Sequence, residues 1–155
     1  MSQLDVRIVR LDPMRVISVH GFGPEPEGVA WRKLWAWVER SGAARDGETQ
    51  RVFGLNNPNP SAGSPNYGYE FWIEVGPDVQ GDGDAQVKEF GGGLYAVTRC
   101  HNLSQIGDVW HRLALWRENS PHRGGHHQWL EQHIGPLAAE QTPEELVLDL
   151  FLPIV

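Results

Sequence analysis

The chain has 155 residues, a formal net charge of −7 and a pI near 5.4. That length suffices for one domain with a core of its own, and the acidic balance excludes the basic face a nucleic-acid binder needs. A single cysteine, Cys100, excludes an intramolecular disulfide and fits a reducing, cytoplasmic compartment, and no window approaches a signal peptide or a membrane span.

In chain order, Val6–Leu11 and Arg15–His20 read as strands separated by the turn Asp12-Pro13. Gly21–Gly28 is a Gly/Pro-rich connection. Val29–Arg40 carries a helical apolar pattern that stops at Ser41-Gly42, where glycine can take the left-handed cap. Arg51–Leu55 reads as a strand, 56–68 as a long loop of the kind that often serves function, and Tyr69–Val75 as a strand. After the Asp/Gly-rich joint Gly76–Ala85, strands are expected at Val87–Phe90 and Leu94–Arg99 around Gly91–Gly93, then a helix at Ile106–Arg117. A further helix is expected at about His126–Ile134, closed by Gly135-Pro136. Thr142–Glu145 starts at most one helical turn, and Leu146–Ile154 ends the chain as a strand. The fold class is α+β: antiparallel strands with helices packed on one face.

The chain also repeats itself at a constant offset of 79 residues. Trp31, Leu34, Trp37 and Ser41 return as Trp110, Leu113, Trp116 and Ser120. Tyr69–Val75 returns as Leu148–Ile154, and Ile8, Leu11 and Val16 fall on Val87, Phe90 and Tyr95. One offset across three separated segments implies a duplicated βαββ unit with pseudo-twofold symmetry inside a single domain, 1–155. Repeat 1 covers about 6–75, a linker 76–86, and repeat 2 about 87–155. The helical tryptophans read as helix–sheet packing, although Trp31 and Trp110 lie near the helix starts, within reach of a cleft rim.

Strand alternation then assigns faces. Tyr69, Phe71, Ile73 and Val75 share one side, as do Leu148, Leu150, Leu152 and Ile154; both apolar sides should lie under helices. The opposite sides carry Glu70 and Trp72 in one copy, Asp149 and Phe151 in the other. An acid beside an aromatic, twice, suggests an apolar cleft with an acidic base, suited to a lipophilic cation. A partly buried carboxylate without a partner would be relieved by such a ligand. If the two acids lie close together, at least one pKa should be raised. The alternative leaves both acids facing solvent or paired with Arg10 or Arg99.

Other chemistry is thinly supported. His122, His126, His127 and His133 cluster near Glu131, but match no ligand pattern, and exposed histidines on a Gly-rich loop are the commoner outcome. No serine sits in a nucleophile elbow, Gly91–Gly93 opens no helix as a phosphate loop would, and Cys100 reads as a small buried residue. No metal and no cofactor is expected.

Three strings carry a family likeness: Tyr67-Gly68-Tyr69-Glu70-Phe71-Trp72, Gly91-Gly92-Gly93-Leu94-Tyr95-Ala96-Val97, and Leu148-Asp149-Leu150-Phe151-Leu152-Pro153-Ile154. Together, and with Trp129-Leu130-Glu131-Gln132-His133-Ile134 as a subgroup feature, they resemble the GyrI-like effector-binding domains. These occur fused to AraC-family and multidrug-sensing regulators and as free-standing proteins. The resemblance implies a duplicated βαββ fold, a ligand cleft at the pseudo-twofold centre and an acid near its floor. The closing-strand acid falls on Asp149, where many relatives have the longer Glu.

The leading expectation is therefore a free-standing, cytoplasmic protein that binds lipophilic, cationic small molecules. Glu70 and Asp149 would supply charge, and Trp72, Tyr95, Trp110 and Phe151 the walls. With no helix-turn-helix segment in the sequence, no direct nucleic-acid contact is expected, and no membrane contact. The first alternative is an enzyme, since some relatives hydrolyse strained cyclopropane-bearing toxins; Glu70 and Asp149 would then be the acid and base. The second is an interaction module, such as a gyrase partner, a homodimer or a subunit of a transcription regulator.

Overall fold

The computed structural model of the protein describes residues 4–42, 51–134 and 145–155. The described residues form β1 (Arg7–Leu11), β2 (Met14–Gly23), α1 (Pro26–Ser41), β3 (Val52–Asn56), β4 (Tyr67–Glu74), β5 (Gln86–Phe90), β6 (Gly93–His101), α2 (Ile106–Glu118), β7 (Leu130–Ile134) and β8 (Val147–Pro153). Every strand pairing below is antiparallel, and the class is α+β. Two compact units divide the chain: a contiguous one, Met14–Phe90, and a composite one, Met1–Pro13 with Gly91–Val155.

In the contiguous unit the strand order is β3-β4-β2-β5. Helix α1 starts with Pro26, whose missing N–H costs nothing in the first turn. It ends at Gly42, which takes the left-handed conformation (φ 73°) and donates its N–H to the Val38 carbonyl at 3.0 Å, so this cap matches the sequence reading. The helix buries Ala30, Leu34, Trp37 and Val38, and Trp31 meets Phe71 of β4 edge-on at 4.9 Å. Each large apolar side chain so buried contributes roughly 1.5–3 kcal/mol.

Gly21 of β2 sets how closely α1 approaches the sheet. A Cβ there would stand 2.4 Å from the Pro26 carbonyl oxygen and 2.9 Å from the Ala30 nitrogen, both backbone atoms of α1. Gly21→Ala is therefore expected to destabilise the protein by about 1–3 kcal/mol through overpacking. A urea unfolding midpoint unchanged from wild type would contradict this.

In the composite unit the order is β1-β6-β8-β7. Leu148, Leu150 and Leu152 of β8, Ile154 just after it, and Ala96 and Cys100 of β6 form one apolar cluster with Val109 and Leu113 of α2. The side chains of β8 thus alternate as the sequence suggests. Before α2, the Asn102 side chain accepts the Ser104 backbone N–H at 3.0 Å, capping a short 3-10 turn at Leu103–Gln105.

Two findings differ from the sequence reading. First, residues 130–134 are strand β7, not part of a helix over His126–Ile134. Paired residue by residue with β8, from Leu130 opposite Phe151 to Ile134 opposite Val147, the segment satisfies its backbone in a ladder. Second, β1 does not pair with β2 across Asp12-Pro13, nor β5 with β6 across Gly91–Gly93. β1 lies against β6 and β5 against β2, so the compact units divide at 13/14 and 90/91. Adding 79 to the bounds of β1 and β2 lands on β5 and at the start of β6, and the two units show the same strand order under that shift. The segment Thr142–Glu144 lies outside the described residues.

Candidate functional site

Glu70 sits at the middle of β4 and is only 2% exposed. Its face of the contiguous unit is set by register: Glu70 lies opposite His20 and Leu55, and Trp72 opposite Ser18 and Phe53. The carboxylate accepts four side chains. Ser18 Oγ donates at 2.7 Å, Asn57 Nδ2 at 2.6 Å, Trp72 Nε1 at 2.8 Å and Lys88 Nζ at 3.0 and 3.1 Å to the two oxygens. Burial alone would push this carboxyl up, but the hydrogen bonds from Asn57, Ser18, Trp72 and Lys88 outweigh it and hold it at about 2. The Trp72 ring stands 5.4 Å from Phe90.

Asp149 is the matching acid of the composite unit, 3% exposed. Arg99 donates to it from Nε at 2.9 Å and Nη2 at 3.2 Å, and Arg7 from Nη2 at 2.8 Å. Burial opposes ionisation here too, and the two guanidiniums overcome it, so this carboxyl also lies below its ordinary value. Neither carboxylate is without a partner, and neither is raised. The expectation of a carboxylate without a partner is corrected, because each acid already has cations of its own; for Asp149 the ion pair with Arg99 is the one weighed as the alternative.

The aromatic candidates divide. Tyr95 is fully buried, donates its hydroxyl to the Gln128 carbonyl at 2.5 Å and meets Phe151 edge-on at 5.4 Å. Tyr95 opposite Pro153 and Val97 opposite Phe151 put both rings on the Asp149 side of β6 and β8. Trp110 is not among them. Its Nε1 donates to Glu131 at 3.0 Å, and Glu131 stands opposite Leu150, on the α2 side of the sheet. There Trp110 packs on Trp129 at 5.3 Å, with the Arg117 guanidinium 5.8 Å from the Trp129 ring. The sequence reading named Glu131 only beside the histidines and Trp129 only in a family string, because a helix was expected there; strand alternation along β7 would have placed Glu131.

Two of the histidines make structural contacts. His127 Nε2 lies 2.7 Å from the Leu94 carbonyl and its ring meets Tyr95 edge-on, while His122 stacks on Trp116 at 5.9 Å. Burial pushes His133 down to about 4. Among the described residues no group of three or more His, Cys, Asp or Glu could hold a metal ion. Cys100 is buried, its thiol pushed up by that burial. No helix among the described residues is long and apolar enough to cross a membrane.

A sequence model of the GyrI-like small molecule binding domain matches residues 4–155. The chain belongs to that family. Its fold is also that of solved structures at low identity. The GyrI-like domain here is 14% identical to the EcmrR C-terminal domain, with a TM-score of 0.74 over 98% of each chain. It is 12% identical to a hydrolase from Listeria innocua, with a TM-score of 0.70 over 100% of this chain and 94% of that one. It is 11% identical to SAV2435, solved bound to tetraphenylphosphonium, with a TM-score of 0.56 over 98% and 94%. No curated protein matches the GyrI-like chain in sequence.

Proposed function

We propose that this GyrI-like domain binds lipophilic cations, and that Glu70 takes the ligand's charge in exchange for the ammonium of Lys88. The observation that carries this reading is the asymmetry of that ion pair. Glu70 is 3% exposed at its side chain, whereas Lys88 is 42% exposed. Lys88 can swing its Nζ into water at little cost, since a lysine stem is flexible and its head strongly hydrated. A ligand cation then meets a carboxylate already ionised and held in place by Ser18, Asn57 and Trp72. Trp72 and Phe90 offer aromatic faces, each worth roughly 0.5–2 kcal/mol to a cation. Asp149 with Tyr95 and Phe151 is a second carboxylate–aromatic group. Its two guanidiniums make the exchange harder there. The family supports small-molecule binding, and the phosphonium held by SAV2435 is a lipophilic cation.

Titration calorimetry with tetraphenylphosphonium tests the reading. Glu70→Gln is expected to weaken binding at least about tenfold, because a neutral amide loses the charge term. Lys88→Met is expected to tighten it severalfold, since the resident cation no longer competes. If Lys88→Met weakens binding, or Glu70→Gln leaves it unchanged, the exchange is wrong.

Ring-opening hydrolysis is less well served by this geometry. It needs one carboxyl to hold a proton near neutral pH, and Glu70 at about 2 and Asp149 below its ordinary value are both ionised there.

A further inference from the structure

The side chains of β2 alternate between two faces. Val19 stands opposite Phe71, which packs on Trp31 of α1, and Gly21 lies against the α1 backbone. Ser18, His20 and Phe22 therefore share the other face, with Ser18 opposite Trp72, His20 opposite Glu70 and Phe22 opposite Gly68. Burial changes along this row: Met14, Val16 and Ser18 are buried, whereas His20 and Phe22 are exposed. The Phe22 residue is 58% exposed.

A single exposed phenylalanine needs no explanation, since apolar side chains are common on protein surfaces. Its place gives this one a meaning. Phe53, Trp72 and Phe90, the aromatic residues that share its face, are all buried. Across from Phe22 stands only Gly68, which has no side chain to cover the ring. In register Phe22 is the diagonal neighbour of Glu70, and His20 beside them is held with its Nε2 at 2.6 Å from the Asn57 carbonyl oxygen. Ser18 and Trp72, which donate to the Glu70 carboxylate, lie on the side of Glu70 away from Phe22. Two residues of strand span about 7 Å, so ring and charge are separated along the face by roughly that distance.

We propose that Phe22 selects among the cations that Glu70 takes, favouring those that carry an aromatic ring on a spacer a few carbons long. This inference rests on the Glu70 exchange proposed above. With the ligand's charge at Glu70, the spacer crosses His20 and the ring packs on Phe22, so that two aromatic surfaces leave water together. A ring bonded directly beside the charge falls short of Phe22. Phe22 acts only on the ligand's apolar arm and Glu70 only on its charge, which makes the two contributions separable.

Titration calorimetry of the full chain with benzyltrimethylammonium and 4-phenylbutyltrimethylammonium tests the assignment, because these cations differ only in their spacer. The longer one is expected to bind more tightly. Phe22→Ala is expected to weaken the longer cation about fivefold and the shorter by less than about twofold, with the urea unfolding midpoint near that of wild type because the side chain is exposed. Phe22→Trp, which keeps an aromatic face, should keep the preference for the longer cation. Glu70→Gln is expected to weaken both cations alike, by about tenfold or more, and reports on the exchange alone. If Glu70→Gln weakens both while Phe22→Ala changes neither, the exchange stands and selection by Phe22 is overturned. Equal weakening of both cations by Phe22→Ala overturns it too. If neither cation binds, or Glu70→Gln leaves both unchanged, the exchange and the selection fail together.

Discussion

Replacing Glu70 by alanine is expected to lower the unfolding free energy by about 2–6 kcal/mol, because two buried donors lose their acceptor. The carboxylate is the common acceptor for Ser18, Asn57, Trp72 and Lys88. Alanine leaves the Ser18 hydroxyl and the Trp72 N–H buried with no oxygen in reach, and each orphaned donor costs about 1–3 kcal/mol. Lys88 escapes the penalty by turning to solvent. Urea denaturation read by tryptophan fluorescence gives the difference directly. A loss below about 1 kcal/mol would mean that water replaces the carboxylate and that the network adds little stability.

The second large effect is acid sensitivity, in two stages. His133 is held at about 4 in the folded chain against 6.5 ordinarily, so between those values the unfolded chain takes up a proton that the folded one refuses. Stability from this group is whole above about pH 6.5 and is lost as pH falls toward 4. Glu70, at about 2 against 4.5, acts with the same sign lower down. Its contribution is complete above about pH 4.5 and disappears between there and pH 2; a depression of that size corresponds to about 3 kcal/mol. Asp149 and Glu74, both lowered by arginine partners once burial is overcome, add to the second stage. The expected stability curve falls gently from pH 7 to 5 and steeply below. His133→Leu should flatten the first part and Glu70→Gln the second. Stability that stays level down to pH 3 would contradict both assignments.

Much of the architecture is legible in the sequence because two of its rules are geometric. The period of two along Tyr69–Val75 and Leu148–Ile154 separates helix-facing residues from the rest, and the offset of 79 sets matching elements side by side. That offset also carries Val52–Asn56 onto residues 131–135 and so points to a strand there. The local signals (Gly135-Pro136 as a stop, His127 and Glu131 one turn apart) point to a helix, and ladder pairing with β8 prevails. The surroundings of the two acids are hidden for a different reason. Arg7 reaches Asp149 across 142 positions of sequence, and Lys88 reaches Glu70 across 18. Nor are they repeated: the offset carries Ser18 to Val97 and Lys88 back to Val9, neither of them polar. Similar acids thus come to have unlike neighbours, an ammonium for one and paired guanidiniums for the other.

The exchange of edge strands bears on how the chain comes off the ribosome. The Met14–Phe90 ladder is complete once its last strand emerges, so this half can settle while synthesis continues, in step with the N-to-C order of co-translational folding. The strand Arg7–Leu11 is made first and yet must wait, unzipped, for Gly93–His101 to be translated before its amides find acceptors. During that interval it is an open edge, the kind of segment that recruits a neighbouring nascent chain. The charged side chains Arg7 and Arg10 on so short a stretch are the usual guard against such mispairing.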